Sequence, residues 1–193
     1  MHKGRLEAFS DAVIAIIMTI MVLDLRAPKG SGITDLKGTL PVFLCYALSF
    51  VFLAIYWNNH HHMLQAAKTV NGAVLWANMH LLFWLSLIPF ATDWMGGHST
   101  AQWPIALYGF LLLMCGTAYY ILAKALIGAN GRDSMLSLAL GKDVKGQVSV
   151  GLYALAIALT WVNPCISIGV YALVALMWLV PDQRIERQNV QEE

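Results

Sequence analysis

The stretch RLEAFSDAVIAIIMTIMVLDL, Arg5 to Leu25, opens with a cation, an acid and a Ser-Asp pair, then stays apolar through Leu23. Crossing a hydrocarbon core of about 30 Å takes roughly 20 apolar residues. Its length and apolarity therefore predict a transmembrane helix over Phe9–Leu25 that begins in polar residues. Composition extends the expectation to the whole chain of 193 residues: 59% are hydrophobic and only 12% charged, with a mean hydropathy of +0.63. Soluble domains sit near about 45–50% apolar and about 25% charged. An all-α integral membrane protein is the class these values define.

Five further apolar stretches follow: Leu40–Met63, Ala73–Ala91, Pro104–Ile127, Val148–Val162 and Cys165–Val180. The last two are short, and Asn163-Pro164 between them reads as a tight re-entry turn, with one long bent helix as the alternative. Breaks fall at APKGSG (27–32), DWMGGHST (93–100) and GANGRDS (128–134). The last of these opens a polar connector running to about Gln147, and RIERQNVQEE forms a solvated tail. Residues 1–193 thus read as a single six-helix transmembrane unit without a soluble domain.

The sorting of cations sets an orientation. Nine of the Lys and Arg residues fall at the N-terminus, in the loops after spans two and four, and in the tail; only Arg26, Lys29 and Lys37 fall on the other side. Cytoplasmic loops retain positive charge, so both termini are expected in the cytoplasm of a multi-pass cell-membrane protein. The N-terminal run is too long, and has acids at both ends, for a cleavable signal peptide. A net charge of +1 advertises no surface for nucleic acid. Cys45, Cys115 and Cys165 are far apart and odd in number, which argues for buried packing residues over a disulfide framework.

An ionisable group deep in hydrocarbon costs about 2.5–3.5 kcal/mol, so each needs a partner or a task. Arg5, Glu7, Ser10 and Asp11 begin span one; Trp57, Asn58, Asn59, His60, His61 and His62 close span two; Asn78 and His80 lie in span three, with Asp93 at its end. Topology puts FSD and YWNNHHH at similar depth. Three readings follow: an interhelical lock, a proton relay, or a metal site. Consecutive helical side chains point about 100° apart, so His60, His61 and His62 cannot converge on one ion. A zinc pair needs i, i+4 spacing with a carboxylate, as in HExxH, which this chain lacks. There is no GxSxG, and Ser10 beside Asp11 is no nucleophile–base pair, so enzymatic chemistry is not expected.

Setting Ile16 at zero with 100° per residue, Ile20 lies at about +40°, Leu23 at about −20° and Thr19 at about −60°. These four form one stripe. Ser10 falls near +120° and Asp11 near −140°, away from it. A stripe of this kind is also what ordinary helix packing produces, and a helix apolar all round does not reveal which face meets lipid, protein or water.

RxxxFSD, carried by Arg5, Phe9, Ser10 and Asp11, resembles the signature of the endolysosomal potassium channel family of transmembrane protein 175. YWxxHH, carried by Tyr56, Trp57, His60 and His61, and the Asn78-containing WANMHLLFWLSLIPFAT match the same family in order. The second half is similar only in hydropathy. The resemblance implies a homotetrameric, single-repeat prokaryotic channel of six transmembrane helices per chain, with helix 1 lining the pore. The expected path is leak-type and potassium-selective, needs no cofactor, and has K+ as permeant ion with other monovalent cations as candidates. Family members lack the TVGYG filter, and no such string occurs here. The family's constriction, carried over by position, falls on Ile16, Ile20 and Leu23, with Thr19 offering hydroxyls. Arg5, Phe9, Ser10, Asp11, Trp57, His60, His61 and Asn78 would form the network holding helix 1. The alternatives are a proton-coupled transporter or proton-conducting channel using Asp11 with His60 and His61, and an intramembrane metalloenzyme built on His60, His61 and His80.

Overall fold

In the computed structural model, residues 2–131 and 144–179 are described. Helix α1 covers Lys3–Ile20 and tightens into a 3-10 turn over Met21–Asp24; a second 3-10 turn, Asp35–Gly38, leads into α2, Leu40–Ala66. Then come α3 (Gly72–Ser86), α4 (Ile88–Gly97), α5 (Gln102–Asn130), α6 (Val144–Leu159) and α7 (Pro164–Leu179). The connector residues 132–143, Val180 and the tail lie outside the described residues, as do the cations Arg132, Lys142, Arg184 and Arg187.

Local chemistry places the ends. Pro41 sits in the first turn of α2, where its missing N–H is no loss. Asn71 caps α3, its side chain accepting from the Val74 amide at 3.0 Å. Gly131, at φ 93°, ends α5 in a conformation that L side chains rarely adopt. Asn163 Oδ1 accepts from Cys165 N at 2.9 Å and Pro164 opens α7, so the expected re-entry turn is present as a capped helix start. Ser167 Oγ donates to Ala156 O at 2.7 Å and accepts from Thr160 Oγ1 at 3.0 Å, closing the hairpin of α6 and α7.

Several boundaries differ from the sequence reading. The first helix starts at Lys3, six residues before Phe9, because the polar residues there find partners on α2. The third apolar stretch runs on to Gly97 as α4, so Asp93 lies inside a helix and not at its end. Pro89, in the first turn of α4, cannot continue the α3 hydrogen-bond ladder and breaks it at Leu87. Gly96 lets α4 run close along α2, since a Cβ there would stand 3.0 Å from Val42 Cα. Lys124, counted with the cations that follow span four, lies on α5. Cys45 and Cys115 are buried, but Cys165 is exposed on α7.

Helix α5 holds the bundle together, touching α3, α4, α6 and α7. A polar chain fixes its middle. Thr92 Oγ1 donates to Ile88 O at 2.7 Å, so it accepts from Ser49 Oγ at 2.7 Å, which accepts in turn from Tyr108 Oη at 2.9 Å. All three side chains are buried, and the chain ties α2, α4 and α5 without an orphaned hydroxyl. On the other side of α5, Gly109 leaves space that a side chain would lose to the Tyr171 hydroxyl, which donates to Ile105 O at 3.2 Å.

Helix α1 is peripheral. It packs on α2 and α3 along one side, and on α4 at its far end.

Candidate functional site

The residues of α1 divide by face. Leu6, Ser10, Ile14, Ile17 and Met21 recur at helical spacing and are buried against α2 and α3. On the other side Ile16 is 59% exposed, Ile20 43% and Leu23 77%, with Thr19 exposed between them. Three residues that the hydrophobic effect would bury in a soluble protein, Ile16, Ile20 and Leu23, are thus left substantially uncovered by their own chain. The Thr19 hydroxyl donates back to Ala15 O (2.9 Å) and Ile16 O (3.0 Å), which leaves its oxygen lone pairs facing outward with the stripe.

The buried face is held by two polar systems. In the first, Ser10 Oγ donates to Leu6 O at 2.8 Å and accepts from Asn78 Nδ2 at 2.9 Å. Asn78 Oδ1 lies 2.7 Å from His60 Nε2 and must accept, so a neutral His60 carries its proton on Nε2. Ser10, Asn78 and His60 are each 0% exposed, which makes this chain a buried tie between α1, α2 and α3. His60 Nδ1 is buried and has no partner.

The second system is a ladder between the antiparallel α1 and α2. Lys3 Nζ donates to Gln65 O and Ala67 O, both at 3.0 Å, satisfying carbonyls at the end of α2. One turn on, Glu7 Oε1 lies 3.2 Å from His61 Nδ1, an ion-pair distance without hydrogen-bond alignment. One further turn on, Trp57 Nε1 donates to Asp11 Oδ1 at 3.0 Å. Trp57 and His61 stack at 5.8 Å and 19°, joining the last two rungs.

Of the expected network, Ser10, Asp11, Trp57, His60, His61 and Asn78 come together in these two systems. Arg5 and Phe9 do not join them. Both are exposed, because the 3.6-residue period puts Arg5 and Phe9 on the same side of α1 as Ile16 and Leu23. His80 lies apart, its Nε2 accepting from Trp84 Nε1 at 2.8 Å. Among the described residues no three His, Cys, Asp or Glu side chains gather as a metal site. Glu7, named among the polar residues that begin span one, and Lys3 stand outside the expected network, although the spacing Lys3-Glu7-Asp11 against Trp57-His61-Gln65 carries the ladder.

The four stretches 3–24, 40–66, 72–97 and 102–130 are helices long and apolar enough to cross a membrane, and α6 and α7 are shorter apolar helices. Together with the all-helical fold, they define a polytopic membrane protein whose first helix is tethered on one face and bare on the other. Residues 5–89 match the family model described as "Endosomal/lysosomal potassium channel TMEM175". A protein named as a potassium channel in Chryseobacterium sp. (strain P1-3) is 54% identical over 187 residues, covering 97% of each chain. The crystal structure of a lysosomal potassium-selective channel TMEM175 homolog from Chamaesiphon minutus superposes with a TM-score of 0.82 at 26% identity, over 93% of this chain and 97% of that one. A human protein named as an endosomal/lysosomal proton channel is 32% identical over 103 residues, 47% of this chain but 20% of that one. The chain belongs to the TMEM175 family, a family of ion channels and not of enzymes.

Proposed function

We propose that the chain is a potassium-selective leak-type channel in which four copies surround a central path lined by α1. The observation that carries this reading is the bare stripe of Ile16, Thr19, Ile20 and Leu23 on a helix whose opposite face is fastened by buried hydrogen bonds. Four copies of such a stripe give stacked apolar rings, which close a pore by dewetting and conduct after a small widening. Thr19 hydroxyls stand among them to replace part of the hydration of K+. The relatives named as potassium channels, and the solved potassium-selective homolog, support K+ as the permeant ion. No cofactor enters this reading; the partners are three further copies of the chain and the bilayer. The cation sorting supports a cell-membrane protein with both termini in the cytoplasm.

Purified protein in liposomes with an outward K+ gradient should release K+ faster than protein-free vesicles, and faster than Na+ under the reversed gradient. No release above protein-free vesicles would end the proposal.

A second reading is proton conduction, favoured by the partnerless Nδ1 of His60 and by the human relative's name. It predicts acidification of K+-free vesicles under a pH gradient. Ohmic K+ currents with no proton leak would exclude it.

A further inference from the structure

The bare face of α1 begins well before Ile16. With Ile16 at zero and 100° per residue, Arg5 lies at about −20°, Phe9 at about +20° and Ala12 at about −40°. All three are exposed, as are Ile16, Thr19, Ile20 and Leu23. One uncovered strip therefore runs from Arg5 to Leu23, about 27 Å at 1.5 Å per residue.

Arg5 is the one charge on that strip. Lys3 and Glu7, two residues to either side, point about 160° away from it and meet the end of α2. Asp11 is likewise turned to Trp57. The acids at the start of α1 thus face α2, and no ion pair to Arg5 is found among the described residues. A guanidinium keeps its charge at any physiological pH, so this one stands as a fixed positive charge without a partner in its own chain.

We infer that Arg5 sets the entry of K+ at the end of the path where α1 begins: four copies form a ring of positive charge that lowers the local K+ concentration there. The inference rests on the proposed path lined by α1. Phe9, one turn further in, is then the first apolar ring behind this charged mouth. Four unit charges standing one Debye length from the axis, about 10 Å at 0.1 M salt, change the local K+ concentration about threefold.

The test is the unitary K+ current of the full-length protein in planar phosphatidylcholine bilayers, with equal KCl on both sides. In about 0.1 M KCl, Arg5→Gln should raise the current about threefold at the polarity where K+ enters by this mouth, and Arg5→Glu should raise it further. In about 1 M KCl, where the Debye length is about 3 Å, the variants should converge on the wild type. Arg5→Lys should restore the wild-type current. Loss of fold or assembly would reduce the number of channels, not raise the current through each one in a salt-dependent way. Equal wild-type and Arg5→Gln currents at both polarities in the dilute salt would overturn the inference and leave the path standing. So would a difference that persists undiminished in the concentrated salt. Absence of any K+ current in the wild type would remove the path itself, and the ring with it.

Discussion

Trp57 donates its indole N–H to Asp11 at 3.0 Å, one helical turn beyond the contact of Glu7 with His61 and two beyond the clamp of Lys3 on the end of α2. Lys3, Glu7, Ser10 and Asp11 are therefore engaged within their own chain, while Arg5 stays exposed. What α1 offers to the outside is the apolar stripe that follows. This division of labour makes the role of Asp11 testable apart from that of Ile16 or Leu23.

Asp11→Ala removes the acceptor of the Trp57 indole and one rung of the ladder. An unpaired donor of this kind costs about 1–3 kcal/mol when buried, less where water reaches it. We expect a lower melting temperature and less intact oligomer on size exclusion, with the K+/Na+ preference of the surviving channels unchanged. Asp11→Asn keeps an acceptor oxygen and should lose less. A stable oligomer with altered ion preference would place Asp11 on the conducting face instead.

Asn78→Ala should be more damaging to the fold. It strips Ser10 of its donor and His60 Nε2 of its acceptor at once, at positions that are 0% exposed. Two unmet buried groups are expected to cost at least as much as one, about 1–3 kcal/mol or more. Thermal unfolding followed by tryptophan fluorescence measures it. A melting curve superposable on wild type would show that this chain of hydrogen bonds does not hold α1.

Much of this was legible in the sequence because membrane chains separate polar from apolar residues sharply. The apolar stretches and the break at Asn163-Pro164 follow from spacing and composition, whereas the face of α1 that carries Ile16, Ile20 and Leu23 was singled out by the family resemblance, because the helix is apolar all round. Topology brings Ser10 at the start of span one beside His60 at the end of span two, whereas Asn78 of the third span entered the network through the family resemblance alone. Other features needed coordinates. Arg5 and Phe9 share a motif with Ser10 and Asp11, but a linear motif does not respect the 100° turn between neighbours. Lys3 and Glu7 precede the apolar window, so that window places the start of the helix too late. The chain Tyr108–Ser49–Thr92 links three helices through hydroxyl residues that look unremarkable in apolar runs, and no spacing rule relates positions 43 and 59 residues apart.

Gly109→Ala should destabilise the packing of α7 on α5, because the new methyl would collide with the Tyr171 hydroxyl. Overpacking of this kind costs about 1–3 kcal/mol. Adding Tyr171→Phe removes the hydroxyl and should restore part of the loss, read as a partial recovery of the melting temperature. No difference between Gly109→Ala and wild type would mean that α7 shifts freely to make room.

In the proposed pore, Leu23→Ala narrows no ring and removes an apolar one, and Ile16→Asn makes a ring wettable. Both should raise the K+ leak of reconstituted vesicles, and Ile16→Asn should weaken discrimination against Na+ as well. Rates and ion preference equal to wild type in both variants would remove the stripe from the ion path.

The central claim is that Leu23 meets the permeating ion, and a thiol placed there tests it most directly. Cys45 and Cys115 are buried, so a Cys165→Ser background leaves Leu23→Cys as the accessible site. Modification by a cationic methanethiosulfonate reagent should then stop K+ flux in Leu23→Cys vesicles and leave the background protein unaffected. Complete labelling of Cys at this position with K+ flux undiminished would contradict the account.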